Sequence, residues 1–398
     1  SVFVLILALL GCGTALLFWD TGRECVSVLR TGRGSASYLL TAADTQGQIY
    51  VLGRDSGQYT LVVGDQTGKR TETWTLTAEG LPQQSIPAAL YPASGGAVYL
   101  GLYNTDGETH LQLYRLTQKG SQAELLLSES CPGVSLQDQM AALSFSNFSE
   151  VDGVVSFALM EGDTATFYRR TNANSGLEKL GEVTQEGLQA ALVLSDGSQV
   201  LAAGNTLMGT DGQTVTLTSG EQITQLTQAG TGLCYVDGAG LKVFYADFAQ
   251  WQPYATLELE KDAYDLDHCS DLWITRDGDA LLLMDGDTLL LDRGSAVTDL
   301  TGMLYPSALQ CGLTLAGLAL VVLVVSVLVW FLLCEQNRFR LPMLVRWGCL
   351  VLAAAILGTG ALVRGPVRAS SRQAAQREAA SLMGSLVSQS LLHYDILD

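Results

Sequence analysis

Six short apolar runs punctuate the first three-quarters of this 398-residue chain, each led by a turn glycine. The runs are residues 49–52, 97–102, 154–159, 199–203, 233–236 and 280–284, and the glycines are Gly47, Gly95, Gly153, Gly197, Gly232 and Gly278. From glycine to glycine the intervals are 48, 58, 44, 35 and 46 residues. Most runs meet a second turn, as at Asp55-Ser56-Gly57, Asp106-Gly107, Gly162-Asp163, Asp237-Gly238 and Asp285-Gly286. Another apolar stretch then follows, for example 111–116, 165–169 or 241–245. Asp-Gly and similar pairs suit hairpins because they tolerate positive φ. Repeated hairpins with no helical interruption cannot bury their faces alone and must stack on their neighbours. The pattern predicts an all-β fold, a six-bladed β-propeller over residues 22–300, with residues 25–30 lending a strand that closes the ring. A seventh blade hidden in the 58-residue interval and a pair of tandem β-sandwiches are the alternatives.

Three stretches carry no charged side chain: residues 1–19, 300–334 and 347–363. At about 1.5 Å per residue, a helix over 308–334 reaches roughly 40 Å, enough to cross a bilayer. The sequence therefore predicts three transmembrane helices, at 1–19, 308–334 and 347–363. The first is expected to be an uncleaved anchor, since no small-x-small cleavage site follows its apolar core. Arg338, Arg340 and Arg346 mark 335–346 as a short cytoplasmic connector, which puts the 22–300 domain and the 364–398 segment outside the cytoplasm. Arg364, Arg368, Arg372 and Arg377 run against this topology. Long domains, however, translocate largely regardless of charge. No ionisable residue lies inside any of the runs, which argues against a transporter or proton relay. Gly312 with Ala316, and Gly358 with Gly360, offer close-approach surfaces for helix packing. Starting at Ser1 and stopping at Asp398, the chain reads as part of something longer.

Charge divides the chain. Residues 1–307 hold 15 basic and 36 acidic side chains, a net of −21, whereas residues 308–398 hold seven Arg and four acids, a net of +3. So acidic a domain repels polynucleotides and anionic headgroups, so no nucleic-acid partner is expected, and cationic ligands are favoured. A purely solubilising surface is the alternative. Cys12, Cys311, Cys334 and Cys349 lie in or beside apolar runs, and Cys25, Cys131, Cys234 and Cys269 are scattered through the β region. The latter four allow three disulfide pairings or none, and no Cys-x-x-Cys or Cys/His metal spacing occurs.

Gly64-Asp65-Gln66-Thr67-Gly68-Lys69, followed by Trp74, resembles the Asp-x-x-Thr-Gly-Lys…Trp blade ending of quinoprotein-type (PQQ-like) propellers. The resemblance implies a turn between the last two strands of a blade and a Trp docked between neighbouring blades. It covers one blade, with Asp20-Thr21-Gly22 echoing it without a Trp, and does not extend to the quinone cofactor. In the tail, Ala375, Ala379, Leu382, Met383, Leu386 and Val387 recur at helical spacing after Pro366. A span followed by an outward amphipathic helix resembles the opening of a Cache-type extracytoplasmic sensor domain of bacterial receptors. The other reading is a juxtamembrane helix packing on itself or on a second copy in a homodimer.

Catalytic equipment is sparse. The β region has only His110 and His268, and no Gly-x-Ser-x-Gly elbow. Arg54-Asp55-Ser56-Gly57 looks like a serine-protease nucleophile segment but falls on an expected hairpin turn. Asp265, Asp267, His268 and Asp271 are close enough in sequence to offer a divalent cation oxygen and imidazole ligands; a solvated acidic loop is the alternative. Asp277-Gly278-Asp279 and Asp285-Gly286-Asp287 lack EF-hand spacing and read as turns. Asn147-Phe148-Ser149 is a glycosylation sequon.

These features predict a membrane-anchored, extracytoplasmic propeller that binds or senses without catalysing, the N-terminal input part of a bacterial multi-span receptor. A small molecule, cation or protein at the propeller face would bias the packing of the second and third spans, and no cofactor is expected. A cell-surface propeller hydrolase or lyase and an envelope-assembly scaffold are the alternatives.

Overall fold

The six glycine-led runs are the second strands of six four-stranded antiparallel meanders, each in sequence order. The computed structural model describes residues 25, 26, 28–30, 36–55, 58–82, 84–170, 176–194, 197–209, 212–216, 223–229, 232–245, 253–259, 264, 266–306 and 308–333. Blade 1 is β1 (Ser37–Ala43), β2 (Ile49–Asp55), β3 (Gln58–Gly64) and β4 (Arg70–Thr75). Blade 2 is β5 (Ser85–Pro92), β6 (Val98–Asn104), β7 (His110–Thr117) and β8 (Gln122–Ser130). Blade 3 is β9 (Leu143–Val151), β10 (Val154–Glu161), β11 (Thr164–Arg170) and β12 (Glu178–Thr184). Blade 4 is β13 (Leu188–Val193), β14 (Gln199–Ala203), β15 (Thr206–Gly209) and β16 (Thr214–Thr216). Blade 5 is β17 (Ile223–Ala229), β18 (Gly232–Asp237), β19 (Leu241–Tyr245) and β20 (Pro253–Glu258). Blade 6 is β21 (Cys269–Ile274), β22 (Ala280–Met284), β23 (Thr288–Asp292) and β24 (Val297–Asp299). The first strands touch in the order β1, β5, β9, β13, β17, β21 and back to β1, which closes the ring around a central channel.

Burial explains why the second strands stood out. Leu52, Leu100, Ala158, Ala202, Leu233 and Leu282 are fully enclosed. Neighbouring blades cover both faces, so the strands read as continuous apolar runs rather than as alternation. Leu100 and Tyr114 of blade 2 pack against Tyr50, Leu61 and Trp74 of blade 1. Ala158 and Phe167 of blade 3 meet Ala191 and Leu201 of blade 4, and Cys234 and Phe244 of blade 5 meet Leu282 of blade 6. The outermost strand β8, by contrast, leaves most of its side chains at least partly exposed.

Several expectations are refined. Residues 25, 26 and 28–30 are helical, so no strand from there closes the ring; each blade is built from consecutive strands alone. The 58-residue interval holds no seventh blade. It holds the nine-residue β8 and the helix α1 (Leu136–Ala142), started by a capping box between Ser135 and Asp138. The turn 65–69 does join β3 to β4, and Trp74 lies at the interface of blades 1 and 2, edge-on to Tyr50 with 6.0 Å between ring centroids. Asp237 is not an exposed turn residue: it is 1 % exposed, its carboxylate accepting from the amides of Ala239 and Leu241. Cys131, Cys234 and Cys269 are thiols. Burial raises their pKa values, Cys234 to about 12 and Cys269 to about 11.

A second unit, described separately, includes residues 25–30 and α2 (Ala308–Leu333). Among the described residues α2 alone is long and apolar enough to cross a membrane. Its apolar side chains surround the axis, and Leu309, Leu313, Leu320 and Leu323 are exposed. The other two expected spans, 1–19 and 347–363, lie outside the described residues, as do the connector 335–346 and the tail 364–398.

Tyr38 and two turns make close contacts across the seam between blades 1 and 6, where β1 lies along β21. The Tyr38 amide donates to Gly286 O at 2.9 Å, its hydroxyl donates to Leu304 O, and its ring lies over Gly53, where a Cβ would stand 2.9 Å from it. Gly286 itself has φ +69°, and a Cβ there would lie 2.8 Å from Tyr38 O. On the same seam, a Cβ at Gly64 would lie 2.7 Å from the Met303 methyl. Replacing Gly286 with Ala should therefore destabilise the propeller by about 1–3 kcal/mol through strain and displaced backbone. Tyr38→Phe should cost about 1 kcal/mol. Urea unfolding of both variants checks this; wild-type midpoints would show that the ring closes elsewhere.

Candidate functional site

All six innermost strands carry a β-bulge on the channel side of their blades. In each, one extra residue is inserted: Leu39 in β1, Ala88 in β5, one of Ser146 and Asn147 in β9, Gln189 in β13, Thr224 in β17 and Ser270 in β21. Bulges bend a strand and re-aim the side chains beside them. Here they surround a cavity of about 230 Å³ on the propeller axis, to which every innermost strand contributes.

The cavity wall mixes rings with a few polar groups. The Ser146 hydroxyl accepts from Ala191 N and donates to Ala191 O, both at 2.9 Å, tying β9 to β13. Gln225 Nε2 donates to Asn147 Oδ1 at 3.3 Å, linking blade 5 to blade 3 past blade 4. Asp271 Oδ2 accepts from Thr41 N at 2.6 Å, joining blade 6 to blade 1. Thr41 Oγ1 and Gln189 Oε1 are buried without a hydrogen-bond partner. Trp273 reaches Tyr91 of blade 2, 5.9 Å between centroids, and Tyr91 stacks on Phe148 of blade 3 at 5.5 Å. Of these rings Trp273 and Phe148 line the cavity together with Phe145, and Tyr91 packs against them.

Asp271 is the only ionisable side chain among the cavity-lining residues. It keeps some accessible surface because it borders the cavity, yet protein shields its carboxylate on every side. Burial therefore raises its pKa to about 7, although the amides of Thr41 and Leu272 that bond the carboxylate pull it down. A carboxyl titrating near neutrality inside a cavity can hold a cation or exchange a proton.

Of the four residues grouped in sequence as cation ligands, the structure brings Asp271 to this site and places His268 away from it. His268 is exposed, its Nδ1 3.2 Å from Asp285 Oδ1 at the β22–β23 turn. Asp265 and the side chain of Asp267 lie outside the described residues. No group of three or more His, Cys, Asp or Glu side chains among the described residues is arranged to hold a metal ion. Asn147, the sequon asparagine, borders the axial cavity, where a glycan has no room. Asp65 is a turn residue whose pKa is lowered, chiefly by the Thr67 hydroxyl. Thr41, Gln189 and Gln225 do not stand out in the sequence, and Asn147 does so only as a sequon; the signal that finds them is their place on the strand before each turn glycine.

No protein-family model matches the chain, and no curated protein matches it. Solved structures do. Virginiamycin B lyase from Staphylococcus aureus, with quinupristin, aligns at 11 % identity and TM-score 0.41, over 68 % of this chain and 84 % of that one. The periplasmic gluconolactonase PpgL of Pseudomonas aeruginosa aligns at 14 % and 0.39, over 66 % and 84 %. Sqt1 of Saccharomyces cerevisiae aligns at 11 % and 0.36, over 67 % and 84 %. Alignments this loose carry no weight for activity, and the fold rests on the chain's own sheet order.

The raised pKa of Asp271 makes a stability prediction. Between the unfolded carboxylate value near 3.8 and the folded value near 7, the folded protein keeps a proton that the unfolded chain releases. Stability from this group is thus complete at acid pH and lost as pH rises through 7. Asp271→Asn should flatten the fall between about pH 4 and 8 by roughly 2–4 kcal/mol. Urea unfolding across that range reads it; an equal slope in wild type and variant would return Asp271 to an ordinary carboxylate.

Proposed function

We propose that this chain is a membrane-anchored binding or sensory module whose propeller takes a small polar ligand in its axial cavity. The observation that carries the reading is the pair of buried, partnerless oxygens, Thr41 Oγ1 and Gln189 Oε1, at a cavity that also holds Asp271. Leaving such a group without a partner costs about 1–3 kcal/mol, so a hydrogen-bonding ligand has free energy to recover there. Contact with the innermost strand of every blade would convert binding into a change in how the blades pack. The channel has a single ionisable group and no serine, histidine or cysteine arrangement for nucleophilic attack, which favours binding over turnover.

Membrane anchoring is supported by α2, a 26-residue apolar helix on which Leu309, Leu313, Leu320 and Leu323 are exposed. A soluble core helix would bury them. Together with the charge-free runs 1–19 and 347–363 and the arginines of the connector, this favours three spans, with the propeller outside the cytoplasm as the input part of a bacterial receptor. Binding would then bias the packing of the second and third spans. A cell-surface lyase or hydrolase is the second reading, and Asp271 as a neutral-range acid or base is what favours it.

Membrane-impermeant maleimide on intact cells should label a cysteine placed at Asp106, which is exposed, and spare one at Asn337. Reversed labelling would put the propeller in the cytoplasm and end the sensor reading. Product formation from a lactone or polysaccharide panel that Asp271→Asn abolishes would replace the binding module with an enzyme.

A further inference from the structure

The axial cavity also specifies the charge and shape of what it takes, an inference that rests on reading it as a binding site. Its wall carries one acidic side chain, Asp271, and no Lys, Arg or His. Of the oxygens left without partners, Gln189 Oε1 is an acceptor short of a donor, and the Thr41 hydroxyl can accept as well as donate. Both residues line the cavity. Asp271 is already bonded by the amides of Thr41 and Leu272, but it brings a negative charge and further acceptor capacity, and with the two unpartnered oxygens it suits a ligand group with several N–H bonds and a positive charge.

We propose that the cavity holds the primary ammonium group of a small free amine, Asp271 taking its charge and Thr41 and Gln189 accepting its remaining N–H bonds. An ammonium is the side-chain-sized group that offers three donors and no acceptor. Size is compatible with this: about 230 Å³ is the room of roughly seven or eight waters, enough for a short aliphatic amine. Phe145, Phe148 and Trp273 give its methylenes an apolar wall and its charge aromatic faces. A divalent metal ion is the poorer occupant, because six or more oxygens around a hard cation are not available from one carboxylate. An anion would meet Asp271 with no cation to offset it.

Four probes on one two-carbon scaffold separate the possibilities: ethanolamine, its neutral isostere ethylene glycol, the anion glycolate, and choline, which keeps the charge but has no N–H. Calorimetric titration into the full chain in detergent micelles, at about pH 8 so that Asp271 is ionised, should show one site for ethanolamine. The other three should bind at least tenfold more weakly. Asp271→Asn should abolish ethanolamine binding, and Thr41→Val and Gln189→Leu should each weaken it several-fold. Near-ultraviolet circular dichroism and continued protection of the Cys234 thiol establish that each variant is folded. Equal or tighter binding of ethylene glycol or glycolate, removed by the same substitutions, would leave the cavity as a binding site and overturn the ammonium assignment. Choline binding as well as ethanolamine would overturn the role of the N–H bonds, and unaltered ethanolamine binding to Asp271→Asn would overturn the role of the charge. No binding of any probe would overturn both the ammonium inference and the cavity reading beneath it.

Discussion

A ring of sheets holds only if its last sheet meets its first. In this propeller no strand is shared across that meeting point, because blades 1 and 6 are each made of consecutive strands. The seam therefore depends on Tyr38, which bonds Gly286 through its amide and Leu304 through its hydroxyl while lying flat over Gly53. The two-faced burial of β2 and β22 requires a neighbour on each side: Leu52 faces blade 2 and Leu282 faces blade 5, so opening the seam would expose the residues that alternate with them, such as Val51 and Leu283. Apolar packing supplies most of the driving force, but a small number of polar contacts decides that the packing forms a closed circle.

Closure at six blades also fixes what lies on the axis. Each innermost strand turns an unpaired edge toward the channel, and exposed edges invite unwanted pairing. Here side-chain oxygens take up those edge groups: Ser146 bonds both the N–H and the C=O of Ala191, and Asp271 takes the N–H of Thr41. The same groups that quiet the edges give the channel its polarity. Structural and ligand-binding roles are not separable in Asp271 for that reason, since it bridges blade 6 to blade 1 while bringing the only ionisable side chain to the cavity wall.

The fold was legible where burial leaves a continuous apolar mark. Every run noted in the sequence is a second strand, and stretches such as 111–116 and 241–245 are third strands. The first strands left no such mark. Toward the axis they mix polar side chains such as Thr41, Gln189 and Asp271 with apolar ones such as Leu40, Leu90 and Trp273, and the bulge in each breaks the period-two alternation that would announce them. Thr41, Asn147, Gln189 and Gln225 were hidden in that broken pattern. Asp271 was noticed for its nearness to His268, yet strand geometry sends the two apart, the carboxylate to Thr41 on the axis and the imidazole to Asp285 on the surface. Likewise Gly286 looked like part of a loose acidic turn, and only the approach of the Tyr38 carbonyl shows why a side chain does not fit there.

The bond between Tyr38 and Leu304 has a mechanical meaning. Tyr38 stands in the first strand and Leu304 a few residues past the last one, so the polypeptide enters and leaves the domain at nearly one point. To the chain on either side, the whole propeller behaves as a tight loop that could be spliced into a host sequence without stretching it. Any tension applied between the flanking segments would fall on the seam before it reached a single blade, and a propeller pulled in this way would yield first by unbuttoning its ring.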